Sequence, residues 1–553
     1  MKRIALIICL ALVAVIGLSA FRSSSSSFFE ISKNLDIFTT LYKELNTYYV
    51  DDVNPDKLVQ SGIDEMCNSL DPYTDFISEE NMADYRTQTT GRYGGIGAII
   101  GTRGDWVTIT DPYDGFPAAK AGLRAGDKIV SIDGKTTKKY GSDDVSRMLK
   151  GKAGTSIQIK ISRMQADGSE KEMDMTLTRE EIKIKNVPYY GTVTKDIGYI
   201  RLTGFTEKAG SEVRNALNIL IAKNKIKGLI LDLRGNPGGL LNEAINVSNV
   251  FVDKNTQIVS TKGKTEDQNK EYATLNDAVD LKIPITVLVD GGSASAAEIV
   301  TGSLQDLDRA VVVGQRTYGK GLVQSTHSMP YNAKLKITTA KYYIPSGRCI
   351  QAINYAERAE DGSVKRKADS LKVAYKTKGG RTVYDGVGID PDIKMEPEKV
   401  SQIAISLITR NLIFDYATEY RAKHEAIGSP KNFELSDKEY DEFVAYVSKQ
   451  DFSYTTHSEK LIDELKQTAE KENEFASIAS DYEMMKKSMI HDKKQDLYKE
   501  KKQIKSILEE EIASRYTLNA GRTEAQFKSD PEVAKAIELL NDESKVNALL
   551  KKN

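Results

Sequence analysis

The residues that could do chemistry lie between Ile285 and Gln324. Two hydroxyls, Ser293 and Ser295, follow a turn, Asp290-Gly291-Gly292, and precede an apolar run with Ile299, Val300, Leu304 and Leu307 at helical spacing. One strand further on stands a lysine between glycines, Gly319-Lys320-Gly321. A serine at a strand-to-helix turn is held clear of the sheet, near the positive end of the helix. Its hydroxyl is a weak nucleophile and needs a base. The chain has 4 histidines, and only His327 falls near this stretch. A desolvated lysine can take the role instead, because burial disfavours the ammonium form. The competing reading is structural: Ser295-Ala296-Ala297-Glu298 is also a capping box, S-x-x-E. The two readings are compatible, since a hydroxyl that caps a helix loosely still faces solvent.

Two glycine-rich stretches add to this. Arg234-Gly235-Asn236-Pro237-Gly238-Gly239-Leu240 ends an apolar strand over residues 228–233. Glycines there free backbone N–H groups at the start of a helix, where negative charge is favoured. An oxyanion hole needs such donors, although a plain strand-to-helix turn has the same composition. Tyr93-Gly94-Gly95-Ile96-Gly97-Ala98 leads into another strand. Amides bare of side chains can hold a terminal carboxylate while the next strand pairs with the peptide; the loop alone equally suits a turn. No His/Cys cluster has metal-ligand spacing, so no metal or cofactor is expected.

The elements that must position these residues follow from periodicity. Buried strands at residues 197–202, 228–233, 285–289 and 310–313 alternate with helical patterns, such as Val213, Leu217, Leu220 and Ile221. That rhythm predicts right-handed crossovers and a largely parallel sheet. Residues 91–180 instead alternate with period two, as in Ile157-Ile159-Ile161 and Met173-Met175-Leu177. Residues 28–88 read as helical, with Ile37, Leu41, Leu45 and Tyr48 at helical spacing and a turn at Asp71-Pro72-Tyr73-Thr74. Residues 358–378 read as a charged surface insertion. Beyond residue 399 the chain is polar and helical, with a capping box at Ser436 and Pro531 opening a last helix. Its charge runs read as solvated faces, or as a surface for a partner or a second copy.

A length of 553 residues implies several domains, and 78 basic against 79 acidic side chains give no electrostatic footprint for nucleic acid. Lys2 and Arg3 precede an uncharged apolar run over residues 4–18. This is a secretory signal pattern, cleaved or retained as an anchor, and shorter than the roughly 20 residues of a typical spanning helix. Cys9 lies inside that run with no lipobox before it, and Ser23 to Ser27 read as a flexible spacer. The other cysteines, Cys67 and Cys349, are expected to be free.

GSASAAEI followed by TYGKGLVQ resembles the signature of the carboxy-terminal processing peptidases, or tail-specific proteases. The resemblance implies a serine peptidase with a Ser–Lys pair: Ser295 as nucleophile, Lys320 as general base, Gln324 orienting the lysine and Glu298 in support. Ser293 matches a position where the family tolerates threonine. LDLRGNPGG is similar to the family's oxyanion motif, which implies the amides of Gly239 and Ala296 as donors; Pro237 replaces a glycine of some members. AGLRAGDKIVSIDG resembles a PDZ domain, implying a peptide site at Gly95, Ile96, Gly97 and Ala98. The implied fold is multidomain α/β: a crotonase-like αβ protease core with an inserted β-rich PDZ domain, an N-terminal helical arm and a C-terminal all-helical extension. The expected segments are 1–22 signal or anchor, 28–88 helical arm, 91–180 PDZ, 181–398 protease and 399–553 helical domain. The expected function is an exported serine endopeptidase, in the periplasm or at the outer face of the cytoplasmic membrane. It would recognise polypeptide C-termini through the PDZ domain and cleave near them. Its partners would be proteins or peptides with free C-termini, with a homodimer and a regulatory adaptor as further partners. An inactive peptide-binding scaffold is the alternative. An acyl-CoA enzyme on the related crotonase fold fits poorly with an export signal.

Overall fold

The computed structural model describes residues 28–359, 363–450, 452, 454–489 and 493–551. The segment expected to be a signal or anchor, with Cys9 and the serine run, lies outside the described residues. The chain divides into two compact units.

The first unit joins the amino-terminal part to residues 324–338. Residues 28–48 are helical, and the apolar residues at helical spacing, Ile37, Leu41 and Leu45 among them, lie exposed in this chain. A second helix, Pro55–Asn68, starts where Asn54 accepts the Lys57 N–H and Pro55 takes the first helical position. The expected turn forms because Asp71 Oδ1 accepts the N–H groups of Tyr73 and Thr74. The helical expectation fails just beyond it: Asp75–Ile77 is a strand, antiparallel to Lys334–Lys336. Three residues hold no period that could announce this, and the pairing partner is remote in sequence.

In the second unit a six-stranded sheet carries the chemistry. Its order is Tyr189–Thr192, Ile197–Arg201, Gly228–Asp232, Ile285–Val289, Val311–Gly314, Ile393–Lys394. The first pair is antiparallel and every later pair parallel. The middle strands are buried along their whole length. That is why they read as unbroken apolar runs: a parallel sheet is covered on both faces. One face packs on the helices Ala209–Ile219, Leu241–Ser248 and Ala296–Asp306, with all eleven residues of the last helix buried.

The other face is covered from far along the chain. Val533, Ala536, Leu539 and Leu540 of the helix Pro531–Leu540, with Val546, pack on Tyr199, Ile230, Leu288, Val311 and Val313. The apolar stripe of this helix therefore belongs to the core of the catalytic sheet, and it is not the last helix: Glu543–Lys551 follows it.

The β-rich segment forms an antiparallel sheet in the order Ala98–Arg103, Trp106–Pro112, Lys128–Ile132, Ser156–Met164, Glu170–Thr178, around Val107, Ile109, Ile129 and Ile159. Arg92–Gly95 and Glu180–Lys183, which lead in and out, pair with each other, as an inserted domain requires. The helices Gln402–Thr409, Leu412–Lys423, Asp437–Lys449 and Lys501–Gln526 share a separate core with Leu407, Tyr416, Phe443 and Leu508. Phe414 of this bundle lies between two guanidinium groups: Arg103 of the β-rich sheet at 3.4 Å from its ring centroid and Arg515 at 4.1 Å. Asn519 donates to Asp111 of that sheet. The helix Lys501–Gln526 bends at Thr517 and Leu518, the latter with φ 55°. Among the described residues no helix is long and apolar enough to cross a membrane.

The two-sided sheet gives a direct test. Leu539→Ala, 3% exposed, should lower stability by about 2–5 kcal/mol. Urea unfolding followed by a probe in the protease core should register that loss; no shift would mean the helix Pro531–Leu540 is energetically separate.

Candidate active site

Ser295 occupies the step between the strand Ile285–Val289 and the buried helix Ala296–Asp306, with φ 54° and ψ −115°. Positive φ in a residue with a Cβ is strained, and such strain is held only where surrounding bonds over-determine it. Here a carboxylate supplies them. Glu298 Oε2 accepts the Ser295 N–H at 2.8 Å and the Lys320 N–H at 2.9 Å. Its Oε1 accepts the Gly319 N–H at 2.7 Å and the Thr317 hydroxyl. The Ser295 and Lys320 backbones thus share one oxygen atom. The ends of the expected capping box face each other, but only the glutamate arm makes a hydrogen bond; the serine hydroxyl makes none to the helix. Ser295 and Lys320 are both half-buried, whereas Glu298 is fully buried.

Burial pushes the Glu298 carboxyl up to about 7, against the pull of the bonds from Thr317, Lys320, Gly319 and Ser295. All four bonds need an acceptor, so they favour the carboxylate, and the dry surroundings favour the acid.

A second clamp acts on the carbonyl side. The hydroxyl of buried Tyr342 reaches the Ser295 carbonyl at 3.2 Å and also the Lys320 carbonyl. Sequence reasoning assigned Tyr342 no role. Its only signal was an inward register in the strand Lys334–Tyr343, which any core tyrosine shares. Thr317 was missed for the same reason.

Ser293, the rival hydroxyl, is fully buried and occupied: it donates to the Leu233 carbonyl at 2.8 Å and accepts the Asp290 N–H at 3.0 Å. It ties the Ser295 loop to the residue that precedes the Arg234–Gly239 loop. His327 is exposed and belongs to the first unit. Gln324 also belongs to the first unit, where its amide donates to Thr338 Oγ1 at 3.1 Å. Cys67 and Cys349 are free thiols.

The Arg234–Gly239 loop runs against Ser295. A Cβ on Gly238 would lie 2.7 Å from Ser295 Cβ and 2.8 Å from Ala296 N, and its φ is 95°. Only glycine fits there. Gly238 N donates to Asn236 Oδ1, and Ala294 N donates to the Asn236 carbonyl. Among the described residues neither Gly239 N nor Ala296 N is spent on a backbone or side-chain acceptor. Two uncommitted amides beside a strained serine match what an oxyanion requires.

The residues expected to form a peptide site line a groove. Gly95, Ile96, Gly97 and Ala98 share it with Tyr93, Ile100, Ser146, Leu149 and Lys150. Ala98–Arg103 is the edge strand of its sheet, so its outer backbone groups can pair with an added strand. Among the described residues no group of His, Cys, Asp and Glu could hold a metal ion.

Comparison with known proteins bears on this geometry. The Peptidase family S41 profile matches residues 196–357, a PDZ domain profile residues 108–163, and the profile "Probable PDZ-protease, C-terminal helical domain" residues 403–540. A carboxy-terminal-processing protease of Bartonella bacilliformis is 41% identical over 325 residues, covering 58% of this chain and 73% of that one. This chain is a carboxy-terminal-processing protease of peptidase family S41. A "Probable CtpA-like serine protease" of Staphylococcus aureus is 34% identical over 393 residues, 70% of this chain and 76% of that one. The solved photosystem II D1 C-terminal processing protease is 27% identical, covering 65% of this chain and 92% of that one, with a TM-score of 0.35. This family member is a serine-type peptidase with a PDZ domain on a multidomain α/β fold.

Glu298→Gln should be informative. Glutamine has one acceptor oxygen, so its NH₂ end would face N–H donors that the carboxylate now satisfies. We expect kcat to fall about 10- to 100-fold. The wild-type carboxyl, raised in the folded state, contributes stability below its unfolded value near 4.5 that is lost as pH rises through about 7. That slope, followed by thermal unfolding against pH, should vanish in Glu298→Gln.

Proposed function

We propose that this protease is an exported endopeptidase that holds a polypeptide carboxy terminus in its PDZ groove and cuts near it, with Ser295 as nucleophile and Lys320 as general base. The observation that carries the reading is the shared Glu298 oxygen, which joins the backbones of those two residues.

Lys320 works as the free amine. As Ser295 Oγ attacks the substrate carbonyl carbon, Nζ takes the hydroxyl proton. The carbonyl π electrons move onto oxygen, and the amides of Gly239 and Ala296 bind the resulting anion. The tetrahedral adduct collapses, the C–N bond breaks, and the Nζ proton passes to the departing amine. Water then attacks the acyl-enzyme, giving its proton to Nζ, and Ser295 recovers its own when the ester bond breaks. Gln324 is assigned by resemblance to orient the lysine. Export is supported by the charged start and apolar run of residues 2–18. An enzyme so exported would work in the periplasm or at the outer face of the cytoplasmic membrane.

Ser295→Ala and Lys320→Ala should each lower the cleavage rate of an unfolded protein substrate by at least about a thousandfold. Retention of the wild-type rate in either would overturn the assignment. Amidating the substrate's terminal carboxylate should lower kcat/KM about tenfold or more, because the groove would lose its anion. An equal rate for the free acid and the amide would remove tail recognition from the reading.

A further inference from the structure

The Arg234–Gly239 loop is held from one side by the protease sheet and from the other by a helix synthesised far later. Arg234 curls back on buried Asp232, with Nε 3.0 Å from Oδ1 and Nη2 2.6 Å from Oδ2. Asp232 also accepts the Arg234 N–H at 2.9 Å and the Tyr199 hydroxyl. The remaining nitrogen, Nη1, points away from the sheet to Glu532 Oε2 at 2.7 Å and Asp530 Oδ2 at 2.8 Å. All four charged side chains are at least four-fifths buried.

The acidic pair is itself fixed. Asp530 caps the helix Pro531–Leu540, accepting the N–H groups of Glu532 and Val533. Just before it, Phe527 packs edge-on against Tyr199 at 4.9 Å, and Glu524 accepts the Tyr189 hydroxyl at 3.1 Å. Arg234 thus bridges a rigid helix start and the strand end from which the loop leaves.

We propose that Glu532 is a positioning residue for peptide cleavage, acting through Arg234 to hold the loop that presents the Gly239 amide. The inference rests on the oxyanion role of that loop. A guanidinium held by partners on two sides has one orientation; with Glu532 neutralised, Arg234 keeps its paired bonds to Asp232 and its contact with Asp530 but loses one of the two anionic acceptors on Nη1, which loosens the outer hold. The loop then shifts at Gly238, where the chain passes too near Ser295 and Ala296 to admit a side chain. Such a shift weakens the transition state more than substrate binding, because the oxyanion exists only in the former.

The test compares full-length wild type with Glu532→Gln, which retains the shape and the helix cap. We expect kcat to fall about tenfold with KM within about twofold, and labelling of Ser295 by a fluorophosphonate to slow in parallel. Binding of a C-terminal peptide to the PDZ groove should be unchanged. Arg234→Lys should also lower kcat, and the double variant should lose less than the product of the two effects. A folded Glu532→Gln with wild-type kcat overturns the proposal, and so does a parallel loss of kcat, peptide binding and thermal stability. Should Glu532→Gln not fold, Glu532→Asp, with its charge drawn back by one methylene, decides by the same kcat criterion. Ser295→Ala run alongside separates the two levels: a dead Ser295→Ala with a fully active Glu532→Gln refutes only this inference, whereas an active Ser295→Ala refutes the reading beneath it.

Discussion

A single buried carboxylate holds the candidate site together. Glu298 draws the Ser295 turn and the Lys320 loop onto the same side chain and fixes Ser295 in a backbone conformation it would not choose. Tyr342 repeats the arrangement on the carbonyl side. Neither residue is proposed to touch substrate. Both bind main-chain atoms of Ser295 and Lys320. The site is therefore precise at the backbone level, and removal of either clamp should relax two loops at once.

The dry interior that makes the Glu298 bonds strong also raises the energy of the anion that accepts them. A carboxyl so balanced sits near the point where gaining or losing a proton costs little. That balance follows from placing the clamp at the third residue of a helix whose every side is buried. A glutamate at the same helical position on an exposed helix would be a plain cap.

Much of this was legible in order of residues. The four apolar strands, the serine at the start of a helix, the glycine loop beside it and the β-rich insertion all announced themselves, because each rests on local period or on glycine placement. The capping-box pattern marked Glu298, but the pattern gave no hint that the carboxylate reaches forward to Thr317, Gly319 and Lys320. Those bonds span a strand and a loop, and no spacing encodes them. Tyr342 was invisible for the same reason. The short strand Asp75–Ile77 and the return of Pro531–Leu540 to the catalytic sheet escaped notice because their partners lie hundreds of residues away. Val533, Leu539 and Leu540 look like the buried stripe of any amphipathic helix; what they are buried against is a property of the whole chain.

That return has a consequence for when the protease can exist. The strands Ile197–Arg201 through Val311–Gly314 emerge from the ribosome well before the helix that covers their second face, and Arg234 emerges long before Asp530 and Glu532. Until those residues follow, one side of the sheet is uncovered and Arg234, at the base of the Arg234–Gly239 loop, lacks its outer partners. The second face of the sheet and the outer hold on Arg234 are thus completed only after the helix Pro531–Leu540 has been made.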